Sequence, residues 1–143
     1  MNSTIKPATW FWIVSIIALV WNLMGVMAYL AQVTMSPEAM AALPENQRLL
    51  YQSTPSWATG AFAIAVWGGT LGCILLLLRK KLASLLLIVS LLGVLVQLYH
   101  SFFISNSFAV FGPGGMIMPG MVVVFGIFLI WFSRKAASNQ WLN

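Results

Sequence analysis

Charge is scarce in this chain, with seven basic and two acidic side chains among 143 residues and only one histidine and one cysteine. At 6% charged residues it falls far below the quarter or so carried by soluble domains, which excludes a water-soluble fold. The shortage of carboxylates excludes more than that. Glu38 and Glu45 both lie between the first two apolar runs, so no run holds an acid through which a proton could be coupled to transport. A lone Cys73 cannot form an intrachain disulfide. With one His and one Cys on different segments, a nucleophile lacks its base and a metalloenzyme its ligands. No enzyme activity and no cofactor are expected.

What the sequence has is apolar length. Hydrophobic residues make up 61%, and mean hydropathy is +0.94. Four runs stand out, at 10–30, 57–78, 82–104 and 116–132. A helix needs roughly 20 residues to cross ~30 Å of hydrocarbon, so the first three are long enough and the fourth, with 17, is at the short limit. The first is too long for a signal-peptide core. The expectation is an all-α polytopic membrane protein, one domain over 1–143 with four transmembrane helices in a bundle.

A net charge of +5 could suggest nucleic acid, but the positions of the charges exclude it. Lys6, the Arg79-Lys80-Lys81 run, Arg134 and Lys135 each sit at a segment end, and alternating spans place them all on one side. The positive-inside rule makes that side cytoplasmic, with both termini there and the protein in the cell inner membrane. Trp10, Trp12, Trp131 and Phe132 read as the inner aromatic belt, and Tyr29, Trp57, Tyr99, Phe102 and Phe103 as the outer one. In the first outer loop, Ser36-Pro37-Glu38 and Pro44-Glu45 each look like a helix start, which predicts two short amphipathic helices split near Pro44. The second outer loop, "NSFAVFGPGGMIMPGM", is glycine-rich without the Lys-Ser/Thr of a phosphate loop.

Span two carries a packing signature. Gly68 and Gly72 form GxxxG, and Ala61, Ala65, Gly69 and Cys73 make a small-residue row at four-residue spacing. Lipid supplies no hydrophobic drive between helices, so another helix must approach this face closely. Either a span of the same chain or another subunit fits the pattern.

Two amides interrupt the apolar runs. "SIIALVWNL" (15–23) aligns with "SLLGVLVQL" (90–98), matching Ser15 with Ser90, Ala18 with Gly93 and Asn22 with Gln97. Each amide lies sixteen positions after a basic residue, Lys6 or Lys81, and so at a similar depth. Ser15, Ala18, Asn22, Gly25 and Tyr29 share one helical face, as do Ser90, Gly93, Gln97 and either His100 or Ser101. This suggests a 2+2 parallel repeat with a twofold axis along the membrane normal, in which Asn22 and Gln97 face each other or line one cavity. The amides are either interhelical hydrogen-bond glue or, with Tyr29, His100, Ser101 and Trp21, an outward-facing pocket for a small neutral solute. His100 reads as an ordinary wetted histidine near the outer interface. Met24, Met27, Met35, Met40, Met116, Met118 and Met121 all fall in the outer half or outer loops. Thioethers select Cu(I), so Met24, Met27, Met116, Met118 and Met121 are the candidates for a copper reading.

The segments "WNLMGVMAYL", "PSWATGAFAIAVWGGTLGCILLLLRKK" and "GPGGMIMP" resemble small four-span bacterial inner-membrane proteins, some of which carry a sugar-transporter label. More distantly the layout is similar to DoxX-type four-helix membrane proteins, with an amphipathic outer loop and a glycine-rich second span ending in basic residues. The resemblance implies a four-helix bundle and brings no binding motif. Two functions stay open: binding or transport of a small neutral solute such as a sugar, and a structural or accessory subunit. The expected partners are the lipid bilayer and either a second copy or another membrane protein. The small-residue face separates the two, since an accessory subunit would offer it outward and a self-contained carrier would bury it.

Overall fold

In a computed structural model of the chain, residues 5–104 and 117–143 are described, Met118 in its backbone only. Of the second outer loop, residues 106–116, Met116 included, lie outside the described residues, and 117–121 are the start of the fourth long helix. Four helices are long and apolar enough to cross a membrane. These are α1 (Thr9–Val33), α4 (Ser56–Leu77), α5 (Leu82–Tyr99), which continues as a π-helical turn at His100–Ile104, and α6 (Ile117–Ser138). The short α2 (Pro37–Ala41) and α3 (Glu45–Gln52) lie between the first two. Both short helices start where the sequence placed them. Ser36 Oγ accepts the Ala39 N–H at 3.1 Å with Pro37 opening the first turn, while Pro44 precedes α3.

The fourth span is not short. Its apolar run stops at Ser133, but Ser133 is buried and shares a 2.8 Å hydrogen bond with Ser84 of α5. A paired serine is no helix breaker, and α6 runs on to Ser138. Phe132 is likewise not a belt residue. It is fully buried, stacked on Phe11 at 5.6 Å.

The spans pack in the order α1–α4, α4–α5 and α5–α6. The small-residue face of α4 is used inside the chain. A Cβ built on Gly72 would meet Leu87 at 2.8 Å, one on Gly68 would meet Ser90 at 3.4 Å, and one on Gly93 of α5 would meet the Ala61 carbonyl at 2.8 Å. A Cβ on Gly25 of α1 would meet Val66 at 3.0 Å. Such contacts let backbones approach closely enough for dispersion to hold helices together in lipid. Between α1 and α6 the seam is closed by rings, Trp21 on Phe125 and Trp10 and Phe11 on Phe132. The outer faces stay apolar: Ile13, Ile16, Ile17 and Val20 of α1 are each more than half exposed, as lipid contact requires.

The two ends differ. At the basic end a core of Phe11, Leu76, Ala83, Phe132 and Leu142 is closed by the chain's last residues. Both α4 and α6 end in Schellman motifs, with Arg79 (φ 61°) and Gln140 (φ 63°) in the left-handed conformation. Lys80 N–H bonds Leu75 O and Arg79 N–H bonds Leu76 O, while Trp141 N–H bonds Ala136 O and Gln140 N–H bonds Ala137 O. The two termini of helices are then tied together. Asn143 N–H reaches Arg79 O at 2.8 Å, Lys81 N–H reaches Asn143 O at 2.9 Å, and the Arg79 guanidinium donates to Trp141 O and Ile5 O. At the far end there is no such plug among the described residues. A cavity lies there instead.

Candidate functional site

The cavity measures about 460 Å³ and is bounded by all four spans. Its shape follows from the helix contacts. Glycines bring α1, α4 and α5 close at mid-depth, and ring-sized side chains hold α6 away from α1. Most of the wall is apolar, with Trp21, Phe62, Phe125, Leu91, Val94 and Leu98 prominent. Polar atoms come from Asn22, Ser90, Gln97 and Ser101. The volume is in the range of small-molecule sites, roughly 300–1,000 Å³.

Asn22 sits at the deep end, against Gly69. A side chain on Gly69 would overlap its Oδ1. Its Nδ2 donates twice, to Ala18 O one turn back at 2.9 Å and to Cys73 Sγ on α4 at 3.4 Å. Since only an N–H can face the Ala18 carbonyl, the amide's orientation is fixed. Its Oδ1 accepts no hydrogen bond among the described residues. Ser90 approaches Gly69 from the α5 side and donates to Ala65 O at 2.5 Å. This bond crosses from α5 to α4. Gln97 lines the cavity about 10 Å farther out, seven residues up the same helix, and its amide has no partner among the described residues.

Asn22, Gln97 and Ser101, which the helical stripes placed on facing sides, border one cavity, and Trp21, which is on neither stripe, borders it too. Asn22 and Gln97 do not bond each other. Tyr29 and His100 are not on the cavity wall. Tyr29 packs edge-on behind Phe62 at 5.5 Å. His100 is 5% exposed, edge-on to Trp57 at 5.3 Å, and so is not a wetted interfacial histidine. The π-helical turn that begins at His100 widens the helix locally, so that Ser101 continues the cavity face and His100 turns to α4. Trp67 of α4 is 43% exposed and does not line the cavity.

Among the methionines, Met24 borders the cavity, whereas Met27 and Met121 are half-exposed or more. Met116 and the Met118 side chain lie outside the described residues. Sequence reasoning had Ser90 in the polar stripe without assigning it to the site. The aromatic walls Phe62 and Phe125 carried no signal, because a phenylalanine in an apolar run looks the same facing lipid or a cavity. No family model, curated protein or solved structure matches this chain.

Proposed function

We propose that this membrane protein binds a small neutral solute in the cavity between its four spans and passes or presents it across the bilayer. The observation that carries the reading is that Gln97, half-buried and with no side-chain partner among the described residues, borders the same cavity as Asn22. Polar groups on an otherwise apolar cavity wall are what give a small-molecule site its orientation and specificity. If both amides were packing devices alone, each would be expected to have its bonds made by neighbouring helices. Asn22 meets that description only through its Nδ2.

The accessory-subunit reading is weakened by where the small residues go. Gly68, Gly69, Gly72 and Gly93 face the chain's own helices, so the GxxxG pair and its neighbours are used inside the chain, and of the α4 glycines only Gly60 opposes nothing among the described residues. A single copy bounds the cavity, so solute binding needs no second subunit. The basic end, where Arg79 meets Ile5 and Trp141, is the end we assign to the cytoplasm of the cell inner membrane, with the cavity in the other half of the bundle. Among the described residues neither an acidic nor a basic side chain lines the wall, so the solute is neutral.

The test is thermal unfolding of the purified protein beside the Asn22→Leu/Gln97→Leu variant, across sugars, polyols, amino acids and neutral apolar compounds. A ligand at ~100 times its Kd stabilises by about 2.7 kcal/mol. A shift in the wild type that the double variant loses is the expected result. No shift from any compound, with the variant equally stable, would return the amides to a packing role.

A further inference from the structure

We infer that the cavity's ligand is an amphipathic molecule with an apolar body and a hydroxyl or N–H at its deep end, rather than a sugar. This rests on the proposed binding role of the cavity and specifies what it takes. The argument is a count of donors and acceptors over Gly69. Both hydrogens of the Asn22 amide are spent, on Ala18 O and Cys73 Sγ. The hydroxyl hydrogen of Ser90 is spent on Ala65 O. What the two side chains turn toward Gly69 is oxygen, Asn22 Oδ1 and Ser90 Oγ. Two acceptors bind a donor and reject a bare carbonyl or ether.

The walls decide the rest of the molecule. Between Ser90 and Gln97 lie about 10 Å of helix, flanked by Phe62, Val94, Phe125 and Trp21. Trp21's indole is set against Phe125 on the α6 side, where it extends the apolar wall. A hexose in this space would present hydroxyls to phenylalanine and valine and leave most of them without partners. An alkyl or aryl body loses nothing there. Gln97, which both donates and accepts, suits a second polar group at the outer end without requiring one. A cationic head is excluded on the same ground as an anionic one, since among the described residues no charged side chain lines the cavity to pair with it.

The probes are 4-butylphenol and its methyl ether, 4-butylanisole, with glucose and sorbitol, titrated against the full chain in lipid nanodiscs and followed by thermal unfolding. The phenol and the ether share a body and differ in the one donor. The expected result is a saturable rise in Tm with the phenol, an apparent affinity at least about tenfold weaker for the ether, and no shift with glucose or sorbitol. That ratio is measured on the wild type, so it stands whether or not a variant folds. Ser90→Ala, which removes one acceptor, narrows the ratio. Equal binding of phenol and ether overturns the donor requirement. A glucose or sorbitol shift that depends on Asn22 and Gln97 overturns the amphipathic class while leaving the cavity a solute site. Silence from all four probes overturns this inference, and a wider panel that is silent too ends the binding role itself.

Discussion

The side-chain amide of Asn22 fills the place that a side chain on Gly69 would need, so the two residues on α1 and α4 are complementary halves of one contact. Gly69→Ala would push the amide off Ala18 O and Cys73 Sγ. We expect a loss of about 1–2 kcal/mol, and much less than that loss when Gly69→Ala is made in an Asn22→Ala background, where the space is free. Residues in contact couple by roughly 0.5–3 kcal/mol. A thermal or denaturant double-mutant cycle reads the coupling, and additivity would show that the amide is not held there.

The other glycines should respond in proportion to what faces them. A Cβ on Gly93 would meet backbone, the Ala61 carbonyl at 2.8 Å and the Ala65 nitrogen at 3.0 Å, neither of which can move without shifting α4. Gly72 opposes the Leu87 side chain, which can change rotamer, and Gly60 opposes nothing. Gly93→Ala should therefore cost about 1–3 kcal/mol by overpacking, Gly72→Ala less, and Gly60→Ala should stabilise by up to ~1 kcal/mol through helix propensity. Unfolding midpoints for the three variants test the order.

Much of this arrangement was legible in the order of residues. Apolar length marked the four spans, proline with a following acid marked α2 and α3, and the 3.6-residue stripes brought Asn22, Gln97 and Ser101 to one space. What could not be read has physical causes. The stripe on span three could continue through His100 or Ser101, and the choice was made by a π-helical turn, which leaves no mark in hydropathy. The end of α6 was hidden because Ser133 is polar in type yet paired with Ser84 in place. The closure of the basic end was invisible for another reason. It depends on left-handed residues that are not glycine, and on backbone bonds between segments more than sixty residues apart.

That closure gives a prediction at Arg79. Its backbone has φ 61°, a conformation that costs a non-glycine residue roughly 1–2 kcal/mol, while its guanidinium holds the Trp141 and Ile5 carbonyls. Arg79→Ala loses the bonds and keeps the strain. Arg79→Gly loses the bonds and removes it. Both should be less stable than the wild type, with Gly ahead of Ala by about 1 kcal/mol, and protease cleavage after residue 135 should speed up in both. Equal stability of the two variants would mean the left-handed turn is not retained.

Ser15 and Ser90 occupy matching places in the two nine-residue segments, yet the structure gives them opposite circumstances. Ser90 donates across to Ala65 O, whereas Ser15, fully buried, has an Oγ with no hydrogen-bond partner. An unsatisfied buried hydroxyl costs on the order of 1–3 kcal/mol, and removing it leaves a void of only one oxygen atom. Ser15→Ala should therefore raise stability by about 1 kcal/mol. Ser90→Ala should lower it by something near 0.6 kcal/mol, the average for a hydrogen bond between membrane helices. Opposite signs at equivalent positions are the outcome to look for, in unfolding of the two variants side by side in the same detergent or nanodisc. If Ser15→Ala instead destabilises, the hydroxyl has found a partner in solution, and a bound water below Asn22 would then extend the polar line of the cavity toward the basic end.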